Sequence, residues 1–347
     1  MDGIDISLVK SNGKDLIRLN ENYFYQYSNK TKDFLLSVLN EDLKVNLNRK
    51  LFLDKIITDE HYQALKNLDI LNKSELVGFH GQTIYHNPNT KTSIQLGDPK
   101  KLAKKLNKNV IFDFRSKDIQ LGGEGAPLAP IYHQFIIERL KLNLPSCILN
   151  IGGVANLTFW DGKILVGFDT GPGNALMDNY TRTIYNKYFD KNGTIASQGI
   201  PNKEIVNNFI NNSFFKKKPP KSLDKNSFID LYQKLLSMNF SVADTMATLA
   251  EFTIESIVIS LNFLPDKINN ILVTGGGCRN NYLMKRLIER INVTFINEDQ
   301  IDINFDYIES ELIAFLSARS IYNLPFTFPT TTGISESSSG GKIYSHL

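Results

Sequence analysis

Three glycine-rich turns follow predicted strands and have the composition of a phosphate-binding site. They are Gly152-Gly153, residues 167–174, and Gly275-Gly276-Gly277. Glycine has no side chain, so backbone N–H groups in such turns can approach a phosphate closely. Three such turns in one half of the chain predict a nucleotide site. The carboxylate of Asp169, inside the second turn, indicates chemistry as well as binding.

Asp169 is a candidate general base. The predicted strand ends just before it, so its carboxylate can face a cleft, where a base must lie within hydrogen-bond distance of the proton it removes. The alternative is structural, because aspartate in a turn often accepts backbone N–H groups. The residue pattern by itself leaves both interpretations open.

The second half of the chain predicts a ribonuclease-H-like α/β domain. Three strands in a meander come first, with Asp161-Gly162 as a hairpin turn between the second and the third. Helices and a further strand then alternate at the apolar spacing typical of each. The predicted strands cover residues 146–151, 155–160, 163–168 and 270–274, and the helices cover 174–185, 243–261 and 280–290.

The first half carries a similar but shorter pattern. It opens with two strands, residues 5–9 and 15–27, joined by the Asn12-Gly13 turn, and continues with strands at 76–79 and 109–114. The second half opens with three strands, so a shared topology places one further strand before Met1. We predict two ribonuclease-H-like domains with the active-site cleft between them. The predicted bounds are 1–120 joined by a helix at 306–322, then 121–305, and a C-terminal tail at 323–347.

Composition limits the function classes. The net charge of +3 over 347 residues is too weak to indicate binding to nucleic acid or to a membrane surface. The two cysteines, far apart, favour a reducing compartment, and the five histidines lack the spacing of a metal site. Neither a signal peptide nor an apolar run of about 18 residues is visible. A cytoplasmic protein with no metal held by side chains is therefore predicted.

Further motifs connect the chain to a known family. They are Gly78-Phe79-His80-Gly81-Gln82-Thr83, Gln95-Leu96-Gly97-Asp98, Asp113-Phe114-Arg115, Gly122-Gly123-Glu124-Gly125-Ala126-Pro127-Leu128, Asn150 to Leu157, residues 167–174, Pro220-Lys221-Ser222, Asp244 with Ala247-Thr248-Leu249, and the glycine triplet. In this order they resemble the anhydro-N-acetylmuramic acid kinases, which belong to the actin/hexokinase/Hsp70 nucleotide-binding superfamily. The resemblance covers nearly the whole chain.

The resemblance implies an activity. Family members transfer the γ-phosphoryl group of ATP to O6 of 1,6-anhydro-N-acetylmuramic acid while water opens the anhydro bridge at C1. The product, N-acetylmuramic acid 6-phosphate, belongs to the recycling of cell-wall peptidoglycan. Mg²⁺ is expected with ATP, held mainly by phosphates and waters. A homodimer is a further expectation from the family.

The resemblance also implies roles for residues. Asp169 is expected to act as the general base, and Glu309 is expected to be a second carboxylate in the site. The alternative for Glu309 is a structural role, because the dipole of a helix favours a carboxylate at the helix N-terminus. Asp98 and Asp118 are weaker candidates. His80, Gln82 and Arg115 are expected to bind the sugar, and a purely structural histidine is the alternative for His80. The nucleotide is expected at Asp2, Gly3, Gly152, Gly153, Gly171, Gly173, Asn174, Gly275, Gly276, Gly277 and Asn280.

One departure from the family concerns the first residues. Family members have a strand and a Gly/Ser/Thr-rich loop ahead of an Asp-Gly-Ile/Val-Asp segment, whereas this sequence opens at Met1-Asp2-Gly3-Ile4-Asp5. We expect the strand and the loop to be encoded upstream. The alternative function, should the loop be absent, is a non-catalytic nucleotide- or sugar-binding protein; another sugar kinase of the superfamily is a third possibility.

Overall fold

The chain divides into two compact units, which are described separately. The computed structural model describes residues 3–38, 46–87, 90–223, 227–296, 300–301 and 303–347. Unit 1 consists of Met1–Leu128, Asp306–Pro329 and Gly333–Leu347, and unit 2 of Ala129–Phe305 and Thr330–Thr332.

The elements are numbered in chain order. Up to residue 128 they are β1 (Gly3–Ser11), β2 (Leu16–Gln26), α1 (Asn29–Val38), α2 (Leu47–Leu65), α3 (Ile70–Lys73), β3 (Leu76–Gly78), β4 (Gln82–Asn87), β5 (Thr92–Leu96), α4 (Pro99–Leu106), β6 (Asn109–Phe112) and α5 (Ser116–Gln120). Unit 2 then contains α6 (Pro130–Arg139), β7 (Ser146–Ile151), β8 (Val154–Trp160), β9 (Leu165–Pro172), α7 (Ala175–Tyr185), α8 (Lys203–Ile210), α9 (Ser213–Lys216), α10 (Ile229–Ser237), α11 (Val242–Ser260), β10 (Asn270–Thr274), α12 (Asn281–Arg290) and β11 (Thr294–Ile296). The last elements, α13 (Ile308–Ile321) and β12 (Lys342–Tyr344), belong to unit 1.

The sheet of unit 2 confirms the ribonuclease-H-like prediction. Its strand order is β11-β10-β7-β8-β9. Strands β7, β8 and β9 form the antiparallel meander, and β10 and β11 continue it in parallel. The central strand β7 is covered on both faces, so it is an almost continuous apolar run, and Cys147, Ile148 and Leu149 are fully buried.

Helix α11 is the core helix of unit 2. Ser241 caps its N-terminus, with Oγ accepting the N–H of Asp244 at 3.0 Å. Among the described residues, the span Val242–Phe263 is long and apolar enough to cross a membrane. Sequence reasoning found no apolar run of that length and therefore overlooked this span. Its most apolar stretch is 67% buried inside unit 2, as expected of a helix in a protein core.

Strand β9 is longer than the sequence predicts. The predicted strand at 163–168 is wrong in its bounds, because pairing with β8 continues until Pro172 lies opposite Val154. Asp169 lies opposite Asn156, and the pairing register is irregular directly after it, because Gly171 is the next residue of β9 to pair. The candidate base is therefore inside a strand, not in a turn that follows one.

The described residues of unit 1 form three separate small sheets. Strands β1 and β2 form an antiparallel hairpin, β4 and β5 form another, and β12-β6-β3 is a three-stranded sheet in which β3 runs parallel to β6. The sequence prediction missed the β4–β5 hairpin. Strand β12 lies in the segment that was expected to be a C-terminal tail, and it pairs antiparallel with β6.

Buried His133 makes unit 2 sensitive to acid. Its Nδ1 lies 2.7 Å from Thr158 Oγ1, and burial lowers its pKa to about 3. An unfolded histidine has a pKa of about 6.5, so between pH 6.5 and 3 the unfolded chain binds a proton that the folded chain does not. Stability must therefore fall as pH falls through this window, by up to about 1.4 kcal/mol per pH unit from this group.

We expect His133→Gln to reduce that pH dependence. Urea unfolding between about pH 7.5 and pH 5 tests it through the slope of the unfolding free energy against pH. Trp160, the single tryptophan, lies in unit 2 and reports on its unfolding by fluorescence. Equal slopes for the variant and the unsubstituted protein would contradict the assignment.

Candidate active site

The predicted glycine turns meet at one edge of the sheet in unit 2. Strands β7 and β10 are parallel, so their carboxyl ends lie side by side. Gly152-Gly153 follows β7, and residues 275–277 follow β10. Open α/β sheets bind ligands outside the carboxyl ends of their strands, which makes this edge the first candidate for a nucleotide.

The start of helix α7 is fastened to the same edge. The backbone N–H of Asn174 donates to Gly152 O at 2.7 Å, and that of Gly173 donates to Gly153 O at 2.9 Å. The Asn174 side chain donates from Nδ2 to Ile151 O at 3.1 Å. These bonds place the N-terminal turn of α7, where a helix favours anions, against the turn after β7.

The glycines at this edge fall into two groups. A Cβ on Gly275 or Gly277 would overlap the backbone or side chain of Ile151, so the packing of the protein itself requires glycine there. A Cβ on Gly276 would meet only Asn174 Nδ2 at 3.7 Å, and one on Gly153 only Ala175 Cβ at 3.8 Å.

Gly152 belongs with the second group, because its Cβ would have no neighbour nearer than 3.5 Å. Among the described residues, none gives positions 152, 153 and 276 a steric reason to be glycine. This open space fits the close approach of a phosphate or a nucleoside that the sequence predicted.

Other residues predicted at the nucleotide have structural tasks. A Cβ on Gly171 would press on Ser256, and one on Gly173 would overlap Gly152. Asn280 caps α12, with Oδ1 accepting the N–H groups of residues 282 and 283, both at 3.1 Å. Gly3 is packed against Tyr25 in unit 1, and Asp2 lies outside the described residues. These roles leave residues 152, 153 and 276, with the start of α7, as the candidate contacts.

Asp169 is held in place by the segment that follows the cis Pro219-Pro220 bond. Its side chain is 6% exposed, and Oδ2 accepts the N–H of Leu223 at 2.8 Å. Its own N–H donates to Lys221 O at 3.0 Å. The residue therefore does what the structural alternative requires, accepting a backbone N–H, and its use as a base remains a proposal.

Lys221 is a neighbour that sequence reasoning quoted without assigning it a task. Its ammonium lies 4.6 Å from the ring centres of both Phe214 and Phe263, within cation–π range. Burial, and after it the charge of Lys217, lower the pKa of Lys221 to about 8, and the charge of Asp169 acts in the opposite direction. The side chain fixes a positive charge close to the Asp169 carboxylate.

Two of the predicted sugar contacts lie together in unit 1. Nε of Arg115 lies 3.3 Å from Nε2 of His80, and Arg115 also donates to Gly125 O at 2.7 Å. Burial, and then the charge of Arg115, lower the pKa of His80 to about 3. His80 is thus a neutral acceptor at Nε2, and its Nδ1 lies 3.2 Å from Gly81 O. Gln82 begins β4 close by.

The other carboxylates have clear positions. Glu309 is exposed in the first turn of α13. Asp98 caps α4 by accepting the N–H of Lys101 at 3.0 Å. Asp118 is buried and accepts the N–H of Gly125 at 2.7 Å, so it shapes the loop that Arg115 contacts. Both weaker candidates therefore serve local structure.

Comparison with known proteins identifies the family of the chain. A family model described as anhydro-N-acetylmuramic acid kinase matches residues 1–346. A protein of that name from Rhodopseudomonas palustris (strain HaA2) is 34% identical over 357 residues, which cover 99% of this chain and 96% of the relative. Another from Zymomonas mobilis is 36% identical over 361 residues, with the same two coverages.

Similarity to solved structures is remote. The xylulose kinase of Lactobacillus acidophilus covers 92% of this chain and 73% of its own, at 14% identity and a TM-score of 0.33. That similarity is too low to inform the site.

The strand order of unit 2 defines a ribonuclease-H-like α/β protein, and its glycine-lined carboxyl edge is the candidate phosphate site. The sequence matches then fix its place among the kinases of this class. The chain belongs to the anhydro-N-acetylmuramic acid kinase family.

Proposed function

We propose that this kinase phosphorylates O6 of 1,6-anhydro-N-acetylmuramic acid and opens the anhydro bridge with water. The observation that carries the proposal is the family match across residues 1–346, which contains every candidate site residue. Water forms the new C1–O bond, the C1–O6 bond breaks, and O6 takes the γ-phosphoryl group as ADP leaves. The products are N-acetylmuramic acid 6-phosphate and ADP.

In this proposal Asp169 takes the proton from the attacking water. Its bond from Leu223 N–H holds one carboxylate oxygen and fixes the orientation of the group. The ammonium of Lys221 favours the ionised carboxylate that a base requires. Glu309 is proposed to orient water and sugar, and Arg115 with neutral His80 to bind polar groups of the sugar, where a guanidinium suits a carboxylate.

ATP and Mg²⁺ would supply the phosphoryl group and neutralise charge on it. Gly152, Gly153 and Gly276 would give the nucleotide close access to the backbone, and the start of α7 would favour its phosphates. We propose a cytoplasmic location, which the small number of cysteines, Cys147 and Cys278, and their wide separation in the sequence support. The expected ligands are this sugar and ATP, with neither nucleic acid nor membrane; a homodimer is an additional proposal.

An isotope experiment tests the reaction. The protein is incubated with Mg-ATP and the anhydro sugar in water labelled with heavy oxygen, and the products are followed by mass spectrometry. We expect a hydrated sugar phosphate with one heavy oxygen at C1 and none in the phosphate. A control in which unlabelled product is incubated alone in the labelled water measures the exchange of oxygen at C1, and the result is corrected for it. An anhydro sugar phosphate, or no phosphate product, would refute the proposal.

The open glycine Gly276 gives a test of the nucleotide site. We expect Gly276→Val to raise the KM for ATP at least about tenfold, equivalent to about 1.4 kcal/mol, because its side chain fills the space left for the ligand. The Tm should stay close to that of the unsubstituted protein. The matched control Gly277→Ala should lower the Tm, since its Cβ overlaps Ile151. An unchanged KM for ATP in Gly276→Val would exclude this edge as the ATP site.

A further inference from the structure

A row of polar side chains crosses the sheet of unit 2 at its carboxyl edge. Thr274 of β10 lies opposite Asn150 of β7. Asn150 in turn lies opposite Asn156 of β8, and Asn156 lies opposite Asp169 of β9. Directly opposite residues of neighbouring strands share one face of a sheet. The four side chains therefore form one row, which leads from the strand end before Gly275 to the candidate base.

Asn156 interrupts a buried strand with a polar side chain. Its neighbours Ala155 and Leu157 are fully buried and point to the opposite face, into the core of unit 2. Two residues further along the face of Asn156, Thr158 Oγ1 lies 2.7 Å from Nδ1 of His133. Asn156 Oδ1 is buried too, but no described residue donates a hydrogen bond to it. Buried acceptors nearly always have a donor, so this oxygen is suited to a donor that the described protein does not supply.

The position of Asn156 beside Asp169 indicates which donor that is. Side chains directly opposite each other in an antiparallel pair have Cβ atoms about 4.5–5.5 Å apart. One water molecule spans such a separation, because it can form a hydrogen bond of about 2.8 Å on each side. A water between the two side chains would direct one O–H at the Asp169 carboxylate and the other at Asn156 Oδ1.

We infer that Asn156 is a water-orienting residue, which holds the second hydrogen of the attacking water while Asp169 takes the first. The inference rests on the proposed function and deepens it. As the C1–O bond forms, one proton passes to the Asp169 carboxylate, and the other hydrogen stays on the oxygen and becomes part of the C1 hydroxyl. The C1–O6 bond breaks, and O6 takes the γ-phosphoryl group as ADP leaves. Two acceptors, one for each hydrogen, turn a lone pair of the water towards C1.

Glu309 is the other residue proposed to act on the water. It belongs to unit 1, whereas strand pairing holds Asn156 and Asp169 side by side within unit 2. Groups that are fixed in position before the reaction are the ones that lower the barrier by orientation. The water is therefore oriented by Asn156 and Asp169, and Glu309 would contact the sugar.

Asn156→Leu removes the acceptor and nearly keeps the size of the side chain. We expect kcat with the anhydro sugar to fall at least about 100-fold, the loss that a misplaced reactant can cause, with little change in the KM for ATP. The Tm should not fall, because the substitution removes a buried acceptor and breaks no hydrogen bond of the described protein. A near-normal kcat would overturn the inference.

Thr158→Val is the matched control on the same strand and the same face. It removes the hydroxyl that contacts His133, so it should lower the Tm and leave kcat nearly unchanged. Equal losses of kcat in Thr158→Val and Asn156→Leu would show that any change on this face disturbs the site, and would overturn the inference.

Asn156→Asp keeps an acceptor oxygen and adds a negative charge beside Asp169. A like charge disfavours ionisation, so the pKa of the Asp169 carboxyl must rise. The acid limb of kcat/KM against pH reports the base of the free enzyme, and it should move upward by at least about one pH unit. The charges of Lys221 and Lys217 are present in every variant and cancel in the comparison. An unmoved acid limb would overturn the inference, because position 156 would then lie too far from the base.

Activity above the acid limb gives a further readout. There Asn156→Asp should turn over faster than Asn156→Leu, since its oxygen still accepts the hydrogen of the water. A purely structural role of Asn156 would not order the two variants in this way. Equal kcat values for the two variants at this pH would count against the acceptor and overturn the inference.

The inference and the proposed function fail in different ways. If the unsubstituted protein forms no hydrated sugar phosphate, the proposed function fails and the inference falls with it. If the unsubstituted protein forms that product and Asn156→Leu forms it at the same rate, the proposed function stands and only the role of Asn156 is refuted.

Discussion

Asp169→Asn should reduce kcat by about 100- to 10,000-fold, the range that general acid–base catalysis contributes, with little change in the KM for ATP. The amide cannot take a proton at neutral pH, but its oxygen can still accept the N–H of Leu223. The substitution therefore separates the two interpretations of Asp169. A structural aspartate would tolerate asparagine, whereas a base would not. Steady-state kinetics with the anhydro sugar and ATP measure the change.

Asp190 supplies a matched control for this prediction. It lies in unit 2, is 6% exposed like Asp169, and accepts the N–H groups of Ile195 and Ala196, each at 3.0 Å for its nearest oxygen. Asp190→Asn should leave kcat nearly unchanged, whatever it does to the Tm. A near-normal kcat in Asp169→Asn would rule out Asp169 as the base. Comparable losses of kcat in both variants would show that Asp169 has only a structural role.

Glu311→Ala should destabilise unit 1 by about 3–5 kcal/mol, the usual cost of removing one partner from a buried ion pair. Glu311 of α13 is buried and binds Arg18 of β2 through both oxygens, with Nε to Oε1 at 2.8 Å and a second guanidinium nitrogen to Oε2 at 2.8 Å. The side chain of Arg18 is only 18% exposed, so its charge would lose its partner in a poorly solvated place. Urea unfolding measures the difference.

Two further variants make this result interpretable. The double variant Arg18→Met with Glu311→Leu should recover most of the lost stability, because the uncompensated charge is gone. Lys105→Met breaks the ion pair with Asp59, in which both side chains are 40% exposed, and should cost less than about 1 kcal/mol. A loss in Glu311→Ala as small as that in Lys105→Met would show that the pair does not anchor α13 to β2.

The sequence predicted the meander and the helices α7, α11 and α12 of unit 2 well because their patterns are local, and it missed α6, α8, α9 and α10. The apolar run of β7 and the spacing of α11 are visible within single segments. The end of β9 was missed because its pairing partner, Val154 opposite Pro172, decides it. The β4–β5 hairpin escaped prediction since its strands mix polar and apolar residues, and only their mutual pairing defines them.

The sequence predicted which residues belong to the candidate site better than it predicted the contacts and role of each residue. Sequence reasoning named His80 and Arg115, yet their contact joins residues 35 positions apart and required the fold. It also named Lys221 without the three aromatic rings near its ammonium, two of which, Phe168 and Phe263, come from distant segments. Gly276 and Gly277 are identical letters in a triplet, and only the position of Ile151 distinguishes the packed one from the open one.

The open glycines have a practical consequence for surveys of variants. At Gly152, Gly153 and Gly276 the fold imposes no steric demand, so a library scored by expression yield or heat resistance would rate replacements there as harmless. Damage at these positions would stay invisible until a ligand is offered. A survey of tolerated substitutions in this protein therefore needs a measurement of ligand binding as well as a measurement of folding.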